Sequence, residues 1–163
     1  MFPIKIKKNG GFTLVEVLVT VGIMSLILTT TFFVLNANLR LANNVKNSFI
    51  ASSLLQEGME VVRNIRDADW YNVNVFGASI PDGNWQVQWN SLTMRPNTND
   101  FLNFDSSSGL YSYDGVSSPT LFKRQISIFT VQPNIEKKVL VTITWFDRSS
   151  KSLSAEEHLY NWK

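Results

Sequence analysis

The chain has 163 residues, 44% of them hydrophobic and 17% charged, with a formal charge of +2 and no cysteine. That length suggests one domain with appendages, and the absence of thiols excludes a disulfide framework, a thiolate metal site and a cysteine nucleophile. Lys5, Lys7 and Lys8 create the positive balance: without residues 1–11, 12 basic and 13 acidic side chains remain, so the charge is not a nucleic-acid footprint.

In chain order, the first element is an apolar run from Phe12 to Leu35, 24 residues with one ionisable group, Glu16. As a helix it would span about 36 Å, enough for a hydrocarbon core of roughly 30 Å. Three lysines precede the run, and the first basic residue after it is Arg40. The positive-inside rule then keeps the N-terminus cytoplasmic and the C-terminal part outside. A secretory signal has a shorter apolar centre followed by a small-residue cleavage site. The sequence "FFVLNANLRLANN" offers only weak options of that kind. A plain signal anchor explains the length and the lysines, but neither the Gly10-Gly11-Phe12 junction nor the position of Glu16.

The sequence Gly11-Phe12-Thr13-Leu14-Val15-Glu16, preceded by Lys5, Lys7 and Lys8, resembles the N-terminus of type IV prepilins and pseudopilins. The resemblance covers about the first 30 residues. It implies cleavage between Gly11 and Phe12 by a prepilin peptidase on the cytoplasmic side, N-methylation of Phe12, and retention of the apolar helix in the mature chain. Gly11 suits a site where an enzyme must approach the backbone closely. The implied partners are other pilins or pseudopilins, the prepilin peptidase, the cytoplasmic membrane and a filament-assembly machinery. The implied location is a single-pass cytoplasmic-membrane protein with its C-terminal domain outside, and then a cell-surface or periplasmic filament.

The resemblance also implies an assembly role for Glu16. An acid at mid-bilayer costs about 2.5 to 3.5 kcal/mol, and less near one end where it can snorkel. Cleavage would create an α-amine on Phe12, and two unit charges about 4 Å apart attract by roughly 4 kcal/mol at an effective dielectric near 20. The acid of one subunit would thus meet the amine of its neighbour. Many major pilins carry a proline in the second half of this segment; here Thr29, Thr30 and Thr31 stand instead, which favours a minor component.

From Leu35 apolar residues recur every three or four positions through Leu39, Ala42, Val45, Phe49, Leu55, Met59 and Val62 to Ile65, with Ser52 the one break. This predicts an amphipathic helix continuing the anchor, its stripe covered by the downstream domain. Glu60, Arg63 and Asp67 are helix-spaced pairs on a solvated face. The helix is expected to end between Asp67 and Tyr71. "LLQEGMEVVRNIRDADW" is similar to the corresponding stretch of some PilV-like minor prepilins.

Strand signals follow at 85–89 ("WQVQW"), 122–131, 138–146 and, more weakly, 153–162, with turns at 132–136 and 147–152. The C-terminal pattern is similar to that of PilV-like or I-type minor pseudopilins. The expected fold is α+β and pilin-like: a long N-terminal helix, membrane-spanning then amphipathic, packed on a small antiparallel sheet. The expected divisions are a cytoplasmic leader at 1–11, a membrane or filament-core helix at 12–35, its amphipathic half at 36–66, and an extracytoplasmic β-rich domain at 67–163.

Residues 90–120 read as a polar excursion with one short hairpin at Leu110 to Tyr113. Asp105 and Asp114 flank its serines, but their spacing does not fit an EF-hand loop. His158, the only histidine, falls in an edge strand beside Glu156 and Glu157, too few partners for a triad or a zinc site. No catalytic residue, cofactor site or metal site is expected, and no enzyme. Lys123, Arg124, Lys137 and Lys138 are thin support for DNA binding and read instead as charge that protects sheet edges. The expected function is a structural filament subunit, a minor pilin or pseudopilin of a type IV pilus or type II secretion-like system. The alternative is a non-assembling, membrane-anchored extracytoplasmic binding module, for adhesion or DNA uptake.

Overall fold

The computed structural model describes residues 10–72, 75–114 and 118–162. One helix, α1 (Leu14–Asn72), precedes seven strands: β1 (Gly83–Gln86), β2 (Arg95–Pro96), β3 (Phe101–Asp105), β4 (Leu110–Ser112), β5 (Ser118–Gln132), β6 (Glu136–Asp147) and β7 (Ser149–Tyr160). The chain divides into two compact units, with the boundary between Asn43 and Asn44. The α+β, pilin-like architecture expected from the sequence is present: a long, apolar N-terminal helix whose later turns pack on an antiparallel sheet.

The first unit contains the start of α1, where every described residue up to Asn43 is exposed. In the second unit the helix buries Ala51, Leu54, Leu55, Met59, Val62 and Ile65, the three-to-four spacing that puts one stripe against a sheet. The cover begins later than the sequence pattern suggests. Leu35, Leu39, Ala42, Val45 and Phe49 belong to the same periodic stripe yet remain exposed. The helix also runs a turn further than residue 66, to Asn72.

The sheet is organised by its longest strand, β5. One edge of β5 pairs with β6 along nearly its whole length, from Phe122↔Trp145 to Gln132↔Glu136. The other edge is shared: β3 occupies the first part (Phe101↔Lys123) and β1 the second (Trp85↔Ile126). β6 in turn pairs with β7, which closes that side of the sheet. The strict alternation of β5 and β6 turns Phe122, Ile126, Ile128, Val139, Val141 and Ile143 toward the helix, all nearly inaccessible. Asn134 and Arg148, at φ 59° and 60°, make the two hairpin turns.

Several expectations need correction. The strand beginning near Trp85 spans Gly83–Gln86, and Val87 and Gln88 leave the ladder to enter the core. The segment 90–120 is not one excursion: it contributes β2, β3 and β4, because Leu102 is fully buried and fixes β3 against β5. Arg63 pairs with Glu60 as its spacing suggests, but not with Asp67. Its guanidinium instead forks onto Glu157 of β7, at 2.7 and 2.9 Å, while Asp67 binds Arg66. Arg63 thus fastens α1 to the sheet, and Lys151 does the same further along with a 2.6 Å bond to Asn44.

The largest correction concerns Arg124. It is not edge charge: β5 is interior, and alternation turns Arg124 inward with Phe122 and Ile126, leaving it 1% exposed. Its Nη1 donates to the Leu54 carbonyl and to Glu57, both at 3.0 Å, and its Nη2 donates to the Val87 carbonyl. Lys123 faces outward over the Phe101 ring, Lys137 binds Asp82, and Lys138 binds Glu156.

Helix and sheet meet most closely at Gly58. A Cβ there would lie 3.1 Å from Arg124 Cδ and 3.2 Å from Val141 Cγ1. Neither neighbour is free to yield, since Arg124 is held by its hydrogen bonds and Val141 is wholly buried. Gly58→Ala should therefore destabilise the protein: overpacking costs about 1 to 3 kcal/mol and exceeds the roughly 1 kcal/mol that alanine returns in helix propensity. A lowered thermal midpoint by circular dichroism, lowered further in Gly58→Val, is the expected result.

Candidate functional site

The N-terminal segment carries the residues singled out in the sequence. Gly10, Gly11, Phe12 and Thr13 precede the helix, which begins at Leu14. A Cβ on either glycine would meet nothing within 4 Å, so no packing among the described residues requires glycine at position 11. Phe12 is exposed. Lys5, Lys7 and Lys8 lie outside the described residues.

Thr13 starts the helix. Its carbonyl accepts the first helical bond, from Val17 N at 3.2 Å, and its hydroxyl accepts from Glu16 N at 3.3 Å. Thr13 is thus the N-cap and Glu16 the third helical residue, with the spacing of a Thr-x-x-Glu capping box of which the Thr13 half, its hydroxyl on the Glu16 N–H, is formed. The signal was present in the sequence as Thr13-Leu14-Val15-Glu16 and identifies a functional residue, Thr13, that the apolar pattern does not single out. An acid in this first turn also faces the positive end of the helix dipole, worth about 0.3 to 1 kcal/mol. The Glu16 carboxylate has no ion pair among the described residues.

Beyond Glu16 the helix is apolar on every side. Leu18, Ile23, Leu26, Ile27, Phe32 and Phe33 are each more than half exposed. By length and composition this helix is able to cross a membrane. Its hydroxyls are turned back on their own backbone. Thr20 donates to the Glu16 and Val17 carbonyls, Ser25 to Gly22, Thr29 to Ser25, Thr30 to Leu26 and Ile27, and Thr31 to Ile27. Each polar group in the run thereby finds a partner without water, as a lipid environment requires.

Several acidic side chains of the β domain are committed to local contacts. The Asp105 carboxylate accepts from Ser107 and Ser108, which hold its pKa down to about 2. Asp114 accepts from Arg95 and from Gln88, so the two aspartates do not converge on one site. His158 lies on β7, the outer strand of its side of the sheet, between two carboxylates: Nδ1 is 2.5 Å from Glu136 and Nε2 3.2 Å from Glu156. These contacts, Glu136 foremost, raise the His158 pKa above its ordinary value.

Among known families, residues 6–32 match the model of the prokaryotic N-terminal methylation motif. The match begins in the basic leader, crosses the Gly11–Phe12 junction and Glu16, and reaches Phe32. It supports a type IV prepilin-like N-terminus. Neither the curated proteins nor the solved structures contain a match to the chain.

A raised histidine pKa stabilises the fold fully below the unfolded value of about 6.5, and that contribution is lost as pH rises through the folded value. The thermal midpoint should therefore fall as pH is raised from mildly acidic to mildly alkaline. His158→Gln should remove the part of that fall that tracks the histidine titration followed by NMR.

Proposed function

We propose that this protein is a minor pilin or pseudopilin, a structural subunit of a type IV pilus or type II secretion-like filament. Its leader is removed between Gly11 and Phe12 by a prepilin peptidase, Phe12 is N-methylated, and the chain waits in the cytoplasmic membrane with its N-terminus inside and its β domain outside. It then joins other pilins by helix packing, driven by the assembly machinery. The domain limits in this reading are 1–11, 12–35, 36–66 and 67–163. The observation that carries it is the methylation-motif match over residues 6–32, running into the start of a helix whose apolar side chains there have no cover among the described residues. The open space around Gly11 also favours it, since a glycine with no packing duty among the described residues fits a requirement set by an external enzyme. Lys5, Lys7 and Lys8 provide the leader charge that fixes orientation.

In this reading Glu16 meets the Phe12 amine of an adjoining subunit. The capping box offers a competing duty for the same carboxylate, and the two are separable by chemistry. Glutamine keeps the hydrogen-bonding capacity that a capping box uses but carries no charge. The full chain, expressed in a host with a functioning assembly system, should yield a mature protein that begins with N-methylated Phe12 by mass spectrometry. Glu16→Gln and Glu16→Ala should both be processed and both be lost from sheared filaments. Normal incorporation of Glu16→Gln would reduce the residue to a cap. A protein that still begins at Met1 within filaments would overturn the whole reading, and one that begins at Met1 and never enters filaments would leave a membrane-anchored binding module.

A further inference from the structure

A cleft of about 250 Å³ opens beside the last turns of α1. Asn64, Ile65, Ala68 and Asp69 line it from the helix, with Ser79 and Leu92 among the residues opposite. Asp69 is the one ionisable residue in that lining, and it is only 3% exposed.

Its surroundings leave that carboxylate electrostatically unbalanced. Asp69 belongs to the last turn of a 59-residue helix, where the dipole is negative and no basic residue is present. One carboxylate oxygen accepts the Ser79 backbone N–H at 2.7 Å. That is a neutral donor, and a buried carboxylate ordinarily calls for a cation. The cations that the fold brings to this end serve other groups. Arg66, one turn earlier, binds Asp67 at 2.8 Å and lies over the adjoining indoles of Trp70 and Trp162, 5.1 and 4.9 Å from their centres. Lys137 packs under Gly77, in the turn that leads to Ser79, and gives its ammonium to Asp82. No ion pair to Asp69 exists among the described residues.

We propose that the cleft binds a primary ammonium group carried on an aliphatic stem, with Asp69 as its counter-ion. Ile65, Ala68 and Leu92 form the wall for the stem, and the Asn64 amide and the serine hydroxyls accept the remaining ammonium N–H groups. A bare divalent ion suits the site less well. Calcium takes about six to eight oxygen ligands, whereas three of the eight lining residues, Ile65, Ala68 and Leu92, are aliphatic and only one is a carboxylate. The ammonium has two natural sources, a lysine side chain presented by another protein or a free aliphatic amine. The proposal is independent of the filament reading, since every residue it uses lies in the β-domain unit.

The test is an NMR titration of the full chain in detergent micelles, following the backbone amides of Ser79 and Ser91. Nα-acetyl-lysine N-methylamide should shift them saturably, and Nα-acetyl-norleucine N-methylamide, which keeps the stem without the charge, should not. Asp69→Asn retains an oxygen for the Ser79 N–H and should weaken the response about tenfold or more. Asn64→Asp adds a second carboxylate from an exposed helix position and should tighten it, which keeps the proposal testable if Asp69→Asn fails to fold. Cadaverine separates the sources: binding tighter than the blocked lysine points to a free amine, weaker binding to a peptide side chain. Equal shifts with norleucine, no tightening in Asn64→Asp, or saturation by calcium chloride alone would overturn the proposal.

Discussion

The guanidinium of Arg124 reaches from the middle of β5 to the Leu54 carbonyl, the Glu57 carboxylate and the Val87 carbonyl, and so joins the helix, the central strand and the segment after β1. A carbonyl inside a continuous helix already accepts one bond; Leu54 uses its second lone pair here. Gly58 is the counterpart of this arrangement, because only a residue without a Cβ lets the helix come down onto the arginine stem and Val141. The apolar stripe from Ala51 to Ile65 is then pressed against β5 and β6, and β3, β1 and β7 assemble outward from those two strands. Arg63 and Lys151 add charged ties between helix and β7, but both are partly open to water and weaker for it.

The same helix obeys a different rule before Asn44. There the large apolar side chains face outward on all sides, and the hydroxyls of Thr20, Ser25 and Thr29–Thr31 are bonded back to carbonyls. A threonine in that rotamer turns its methyl to the surroundings and hides its hydroxyl. The segment therefore combines full backbone satisfaction with an apolar surface, which is the condition for residence in hydrocarbon. The exposed stripe residues Leu39, Val45 and Phe49 extend that uncovered apolar character past the stretch that a bilayer accounts for. In the proposed filament, neighbouring helices would be their cover.

Much of the fold was legible because it rests on periodicity. A three-to-four spacing announced the helix, runs rich in Ile, Val, Thr and aromatic residues announced β5 and β6, and the turn residues at 132–136 and 147–152 announced the turns between the long strands. The errors share one cause: local pattern does not reveal which neighbour a residue will meet. Arg124 looked like edge charge because strand position depends on pairing partners distant in sequence. Leu102 lies between Phe101 and Phe104 in an otherwise polar segment, and nothing local marks it rather than its neighbours as the anchor that draws β3 into the sheet. Arg63 has its nearest acid on its own helix, yet its best geometry comes from Glu157 almost a hundred residues later. At the N-terminus the opposite held. There the reading of Gly11, Phe12 and Glu16 rests on a linear motif that needs no tertiary context, and the family match over residues 6–32 supports a prepilin-like N-terminus. Thr13 was read there only as one letter of the motif, since a search for a cleavage junction does not look for a cap.

The cap changes how the lone acid should be understood. A carboxylate in the first turn gains roughly 0.3 to 1 kcal/mol from the helix dipole, whereas an acid deep in a bilayer costs about 2.5 to 3.5 kcal/mol. The dipole alone therefore does not account for an acid in this run, but it lowers the cost during the period when a subunit has no neighbour. A cation on an adjoining chain acts only after docking, and its attraction at low dielectric is the larger of the two. The two contributions belong to different stages of one process. In the proposed filament, Thr13 and the helix N-terminus would keep Glu16 tolerable in the solitary subunit, and the Phe12 amine would make it favourable in the assembled one. An acid one turn deeper would lose the first contribution, and one placed before the helix would not enter the apolar layer where the second is strong. The position of Glu16, three residues after its cap, satisfies both.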